Sequence, residues 1–267
     1  MSRVQVPSIA QLQNPFFMTD VLKAVLLGIV QGITEFFPIS SSAHLYLLKN
    51  FFEIENDSPL LELSCHIGTL GCITWYLRSE LKKTLRSTSE MKNIILALLP
   101  LVPIYFFLKP IIFYFSSLKF MGIFFCVTAL LLFISSYVKV DLSERNKNNK
   151  DYLFIGSMQA IALLPGVSRS GATISAARIR GWSLKNSVIF SFLLSIPTVA
   201  GGFLLELWKY KSEYVIFKGV YLVAALSSFF TGLLTIRIFF IILKKGRLSI
   251  FAWYCLLLGV ILLYYYA

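Results

Sequence analysis

Two short stretches hold most of the polar chemistry in an otherwise apolar chain. QGITEFFPISSSAH contains Gln31, Glu35, the run Ser40, Ser41 and Ser42, and His44. LLPGVSRSGAT contains Arg169 between Ser168 and Ser170, and then Thr173. The Arg169 guanidinium is a planar fork of donors suited to phosphate oxygens. The hydroxyls of Ser168, Ser170 and Thr173, on a backbone punctuated by Gly166 and Gly171, suit an anion nest beside a helix N-terminus. Glu35 could take a proton from a hydroxyl or hold a divalent cation. Ser41 or a neighbouring serine could be a nucleophile. His44, nine residues beyond Glu35, could shuttle a proton. Together these groups suit phosphoryl chemistry on a substrate that enters from a membrane. Plainer roles compete: a structural ion pair for Glu35 and Arg169, and helix caps for the serines. Two Ser-rich loops after prolines, one with Glu and His and one with Arg, argue against caps alone, and an ion pair does not exclude function.

The surrounding composition says where this chemistry takes place. Of 267 residues, 57% are hydrophobic and 14% charged, with mean hydropathy +0.75. Soluble proteins carry about 25% charged residues. The composition therefore excludes a soluble globular protein and indicates an all-α integral membrane protein. The net charge of +12 reflects Lys and Arg in short loops between apolar runs, the positive-inside pattern, so no nucleic-acid partner is expected. Cys65, Cys72, Cys126 and Cys255 lie in apolar segments and read as small core residues rather than disulfides or metal ligands. The N-terminus shows no continuous apolar stretch of the signal-peptide type.

Residues 120–138, 186–205, 219–236 and 248–267 are uncharged runs long enough to cross a bilayer, and 63–77 and 94–108 gain length from their flanks. About six spans are expected. Pro100 and Pro103 should kink one, and Pro197 with Gly201 and Gly202 should loosen another. Glu62 and His66 fall in the first span. His66 suits either a satisfied span histidine or a site group. Lys23–Leu48 and Tyr152–Ile179 are apolar, meet a proline and a Ser-rich stretch, then resume helical character. Irregular backbone cannot face lipid, so both are expected as re-entrant helix hairpins.

The hairpins also resemble each other, aligning Gly28 with Gly156, Gln31 with Gln159 and Pro38 near Pro165. The expected organisation is one membrane domain, 1–267, with repeats of about 20–138 and 151–267, inverted because each half crosses three times. Loops 78–92, 139–151, 178–186 and 237–247 then share a face with 16 Lys and Arg, against Arg3, Lys23, Lys49, Lys109, Lys119, Lys209, Lys211 and Lys218 on the other. The richer face should be cytoplasmic. The first hairpin then opens outward, the second enters from the cytoplasm, and their tips meet at mid-membrane.

At these residues the chain resembles the undecaprenyl-diphosphatase, or bacitracin-resistance, family. The resemblance rests on QGITEFFPISSSAHL and LLPGVSRSGATI, supported by LELSCHIGTLGCITWY and FSFLLSIPTVAGG, and covers essentially the whole chain. It implies an interdigitated inverted repeat and a hydrolase converting C55 polyprenyl diphosphate to the monophosphate, recycling the lipid carrier of peptidoglycan synthesis. It further implies a divalent cation, Mg²⁺ or Ca²⁺, and a site on the outer side of the bacterial inner membrane, and leaves room for a homodimer. By the same resemblance Glu35 is the acidic site residue, Ser41 the nucleophile, His44 an essential histidine and Arg169 the phosphate clamp. Ser40, Ser42, Ser168, Ser170 and Thr173 bind substrate, and Glu35 and Gln31 hold the metal. The chain departs from the family pattern at Gln31, where many relatives have Glu, at Ser42 (commonly Thr), at Ala43 (commonly Gly) and at His66 (Gln in some). Gln31 keeps an oxygen ligand but not a charge.

Two rivals remain. A transporter or flippase of polyprenyl phosphate would share broken helices and an arginine, but has no need of Glu35, Ser41 and His44 together. The two-histidine lipid phosphatases need a second histidine after the Ser-Arg motif, and no histidine follows His66.

Overall fold

The computed structural model describes residues 20–52, 59–115, 117–138, 147–209, 219–246 and 248–266. The expectations for residues 1–19, including Arg3 and the absence of a signal peptide, lie outside the described residues, as do Lys211, Lys218 and most of loop 139–151.

Among the described residues the chain is all-α. α1 (Asp20–Thr34) and α2 (Ser41–Phe51) form the first hairpin. They are followed by α3 (Pro59–Tyr76), α4 (Arg78–Arg86), α5 (Thr88–Leu98), α6 (Leu101–Tyr114) and α7 (Leu118–Tyr137). α8 (Asn149–Ile161) and α9 (Arg169–Ile179) form the second hairpin, before α10 (Leu184–Lys209), α11 (Gly219–Lys244) and α12 (Ser249–Tyr266). Among the described residues five stretches are long and apolar enough to cross a bilayer: Thr88–Phe107, Leu118–Tyr137, Leu184–Trp208, Gly219–Lys244 and Ser249–Tyr266. This is a multi-pass membrane protein. The sixth expected span lies in α3, a continuous 18-residue helix made less apolar by Glu62, Ser64, His66 and Thr69.

The prolines behave differently from one another. α5 ends at Leu98 and α6 begins at Leu101, an interruption at Pro100 inside the Thr88–Phe107 stretch, where two prolines within four residues remove two N–H donors. α10 instead runs unbroken for 26 residues through Pro197. Hydroxyls beside that proline bond back to the helix, Ser195 Oγ to Phe192 O at 2.7 Å and Thr198 Oγ1 to Leu194 O at 2.8 Å, a means by which membrane helices tolerate proline.

Small residues let the hairpins enter the bundle. α1 packs on α11, and α8 on α5. At the crossings Gly28 abuts the carbonyl of Ala224, where an added Cβ would lie 2.7 Å from the oxygen, and Gly156 abuts Ala97 more closely still. α7 packs along α12, and α3 along α11. α9 is enclosed by α7, α8 and α10, with every residue from Ser170 to Ala177 buried. Phe36 packs edge-on against Phe192 of α10 at 5.6 Å, and Phe37 against Phe251 of α12 at 5.0 Å. These two rings fix the turn that carries Glu35.

The second hairpin is also tied at its open end, and the first is tied to α3. Asn148 and Asp151 form a reciprocal cap at the start of α8. Fully buried Asp151 accepts from Arg180 Nε at 2.5 Å, linking the two ends of the second hairpin. Lys49, near the end of α2, pairs with Glu62 of α3.

Candidate active site

The two hairpin tips touch. Ser170 Oγ donates to Phe37 O at 3.3 Å, and Arg169 Nη2 forms a short ion pair with Glu35 Oε1. Each tip ends in the first turn of a helix, α2 after Ser40 and α9 after Ser168. First-turn N–H groups have no intrahelical acceptor and carry the positive end of the helix dipole. Both first turns line one cavity of about 170 Å³, with Ser40, Ser41 and Ser42 from one hairpin and Ser168, Arg169 and Ser170 from the other. A cavity built this way attracts an anion.

The turns are shaped for this. Gly166 has φ +108°, and a side chain there would strike Met121 O at 2.8 Å. Thr128 of α7 braces the turn, donating to Gly166 O at 3.2 Å and accepting from Ser168 N at 3.0 Å. Ser168 Oγ caps α9 by accepting from Gly171 N at 3.1 Å. In the other turn Ser40 has φ +70°, the one non-glycine residue with positive φ among those described. Such a backbone is strained for a side-chain-bearing residue. Its Oγ is buried and has no partner among the described residues, an unusual state for a buried hydroxyl. A phosphate oxygen in the cavity would satisfy it. Ala43 lies within helical α2 and is fully buried, so its Cβ costs nothing in backbone freedom.

Glu35 is the hub. Its side chain is 8% exposed, and it meets Arg169 through one oxygen. The other oxygen accepts from Ser41 Oγ at 2.7 Å and from Gln31 Nε2 at 3.0 Å. Ser41 is thus hydrogen-bonded to a carboxylate that a cation holds in place, the geometry of a nucleophile paired with its base.

The remaining expected residues divide. Gln31 is fully buried behind Glu35. Ser42 lines the cavity and is exposed. Thr173 is buried, its hydroxyl engaged by Arg169 O at 2.9 Å and Ser191 Oγ at 2.6 Å. His44 does not line the cavity. Four residues past Ser40 on a helix, its ring folds back over that residue. Nδ1 donates to Ser40 O at 2.7 Å, and Nε2 meets Tyr254 Oη at 2.7 Å. A neutral ring with Nδ1–H therefore accepts from the tyrosine. The lone pair needed for shuttling is taken, and the ring instead holds the carbonyl of the strained residue before Ser41. His66 of α3 does line the cavity, with Nδ1 2.8 Å from Gln31 Nε2 and 3.9 Å from Glu35 Oε2. Its polarity in an apolar span was the available signal. Its meeting with Gln31 depends on how α3 packs on α1.

The donors present bear on a divalent cation. Among the described residues no three His, Cys, Asp or Glu side chains gather as a cage. Glu35 supplies carboxylate oxygens, and Gln31 Oε1 is buried without a partner among the described residues. One carboxylate and one amide oxygen fit a hard cation completed by substrate phosphates and water, as Mg²⁺ is commonly bound.

Comparison with known proteins shows the family of the chain. The family model described as "Bacitracin resistance protein BacA" matches residues 24–261. The undecaprenyl-diphosphatase of Protochlamydia amoebophila (strain UWE25) is 40% identical over 248 residues, covering 90% of this chain and 96% of its own. The undecaprenyl-diphosphatases of Prochlorococcus marinus (strain MIT 9515) and Korarchaeum cryptofilum (strain OPF8) are each 34% identical, over 262 and 263 residues, covering 91% of this chain and 98% of their own.

Proposed function

Since the chain belongs to the bacitracin resistance protein family, we infer that it is a membrane hydrolase that converts undecaprenyl diphosphate to undecaprenyl phosphate and inorganic phosphate. The observation that carries the mechanism is the Ser41 hydroxyl 2.7 Å from Glu35, with Arg169 on the other carboxylate oxygen, between two helix N-termini.

The arriving diphosphate takes Arg169 as a forked partner, along with the free N–H groups of both first turns and the Ser40 hydroxyl. As the guanidinium turns to phosphate, the Glu35 oxygen that it held is left free, and the carboxylate can take the Ser41 proton. Ser41 Oγ attacks the terminal phosphorus as its proton passes to Glu35, and the bridging P–O bond breaks to release the lipid monophosphate. Water then attacks the phosphoserine, Glu35 returns the proton to Ser41 Oγ, and phosphate leaves. Arg169 stabilises the charge on the transferring group in both steps. A Mg²⁺ or Ca²⁺ ion held by Glu35 and Gln31 Oε1 would neutralise phosphate charge. Thr173 serves the substrate only indirectly, by holding Arg169 O.

The same reading extends to architecture and place. The contacts of α1 on α11 and α8 on α5 support one domain with repeats of about 20–138 and 151–267. The loop distribution of Lys and Arg supports an inner-membrane protein whose site opens outward. A homodimer is part of the proposal, and cross-linking in native membranes tests it.

The experiment for the function uses purified full-length protein in detergent with a polyprenyl diphosphate. One orthophosphate should appear per lipid monophosphate, and chelation should suppress both. A protein that binds the lipid and releases no phosphate would return the reading to a carrier.

A further inference from the structure

His66 belongs to neither hairpin, yet it lines the cavity with Glu35, Ser41 and Arg169. Hydrogen-bonding rules fix its tautomer. The Glu35 carboxylate can only accept, so the Gln31 atom 3.0 Å from it is the amide nitrogen. That same nitrogen lies 2.8 Å from His66 Nδ1. An amide NH₂ only donates, so Nδ1 must accept, and the ring N–H of His66 sits on Nε2. Among the described residues nothing hydrogen-bonds to Nε2, and the side chain is 29% exposed.

Neither histidine can then serve as the base for Ser41. The His44 lone pair is met by Tyr254 and that of His66 by Gln31, which leaves Glu35 for that role. His66 instead lines the cavity with a ring N–H left for a ligand oxygen.

We propose that His66 is a further substrate-contacting residue: its Nε2–H donates to an oxygen of the bound diphosphate, and Gln31 holds the ring in that tautomer. This rests on the hydrolase reading above. The role is specific to a neutral donor, so glutamine can replace the histidine. A glutamine amide would accept from Gln31 through its oxygen and donate into the cavity through its nitrogen. Phenylalanine can do neither.

The test uses full-length enzyme in detergent with a polyprenyl diphosphate. His66→Phe should lose about 10- to 150-fold in kcat/KM, the effect of one hydrogen bond to a charged group. His66→Gln should stay within about threefold of wild type, a residual geometric cost below one neutral hydrogen bond. A second arm reads the tautomer. The chain has two histidines, so in ¹⁵N-histidine-labelled protein the resonances missing from His66→Gln belong to His66. They should show protonated Nε2 and bare Nδ1, and Nε2 should shift when a methylene-bridged diphosphonate analogue of the lipid is added. Wild-type kcat/KM in His66→Phe would overturn the proposal, as would a protonated Nδ1 or an Nε2 that ignores the analogue. If His66→Phe melts early, the resonances decide. Failure of the wild-type enzyme to release phosphate would overturn the hydrolase reading instead, a different result from an inert His66.

Discussion

Arg169→Lys separates a directional clamp from a simple attraction of charge. In the resting site Arg169 is 20% exposed at its side chain and pairs with Glu35, which is 8% exposed. Lysine keeps a cation for that carboxylate, so the fold should survive. Lysine does not keep the fork, since one ammonium cannot make two parallel bonds to a phosphoryl group. Losing one charge-assisted hydrogen bond costs about 1.5–3 kcal/mol. At about 1.4 kcal/mol per tenfold in rate, that is roughly 10- to 150-fold. The loss should fall on kcat, because charge on the phosphoryl oxygens is redistributed in the transition state. Arg169→Ala should be at least as inactive and should also melt earlier, since it strands a buried carboxylate at a cost of about 3–5 kcal/mol. The assay is steady-state phosphate release from purified variants, with thermal melting to match their folding. Arg169→Lys with near-wild-type kcat and only a raised KM would refute the clamp and reduce Arg169 to a collector of negative charge.

Other expectations follow from the same geometry. Ser41→Ala should lose far more activity than Ser40→Ala or Ser42→Ala, because only Ser41 bonds to Glu35; equal small losses in phosphate-release assays would point to water as the attacking group. EDTA should abolish turnover and Mg²⁺ or Ca²⁺ restore it, and Gln31→Glu should lower the Mg²⁺ concentration for half-maximal rate, because a second carboxylate strengthens a hard-cation site; an unchanged titration would remove position 31 from the ligand set. Tyr254→Phe frees His44 Nε2 and should lower kcat by about three- to tenfold at unchanged KM, the worth of one neutral hydrogen bond; unaltered kcat would show that Ser40 needs no such support.

Much of this was legible from residue type and spacing. Proline followed by serines in an apolar context marked both hairpins, because irregular backbone there needs a protein-lined cavity. The structure breaks the chain at residues 35–40 and 162–168 accordingly. Glu35 and Arg169 were conspicuous as charges without a local partner, and they meet each other. Helix-to-helix register was not legible. No feature of α3 alone says that His66 stands beside Gln31, or that α12 supplies Tyr254 to His44. The direction of a helical side chain explains two further differences: His44 returns to Ser40, and Thr173 to Arg169, each four residues back and away from the cavity. Pro100 and Pro197 show the same limit, since neighbouring hydroxyls and packing decide whether a proline breaks a membrane helix.

The most direct test of the central claim compares wild type with Glu35→Gln for orthophosphate release from a polyprenyl diphosphate, under matched melting temperatures. Glutamine keeps the size of Glu35 and can still accept from Ser41, but it cannot take the Ser41 proton. The account predicts one phosphate per lipid monophosphate from wild type and none above background from Glu35→Gln. Wild-type rates in Glu35→Gln would contradict it, leaving Glu35 as a structural partner of Arg169 and placing the chemistry elsewhere.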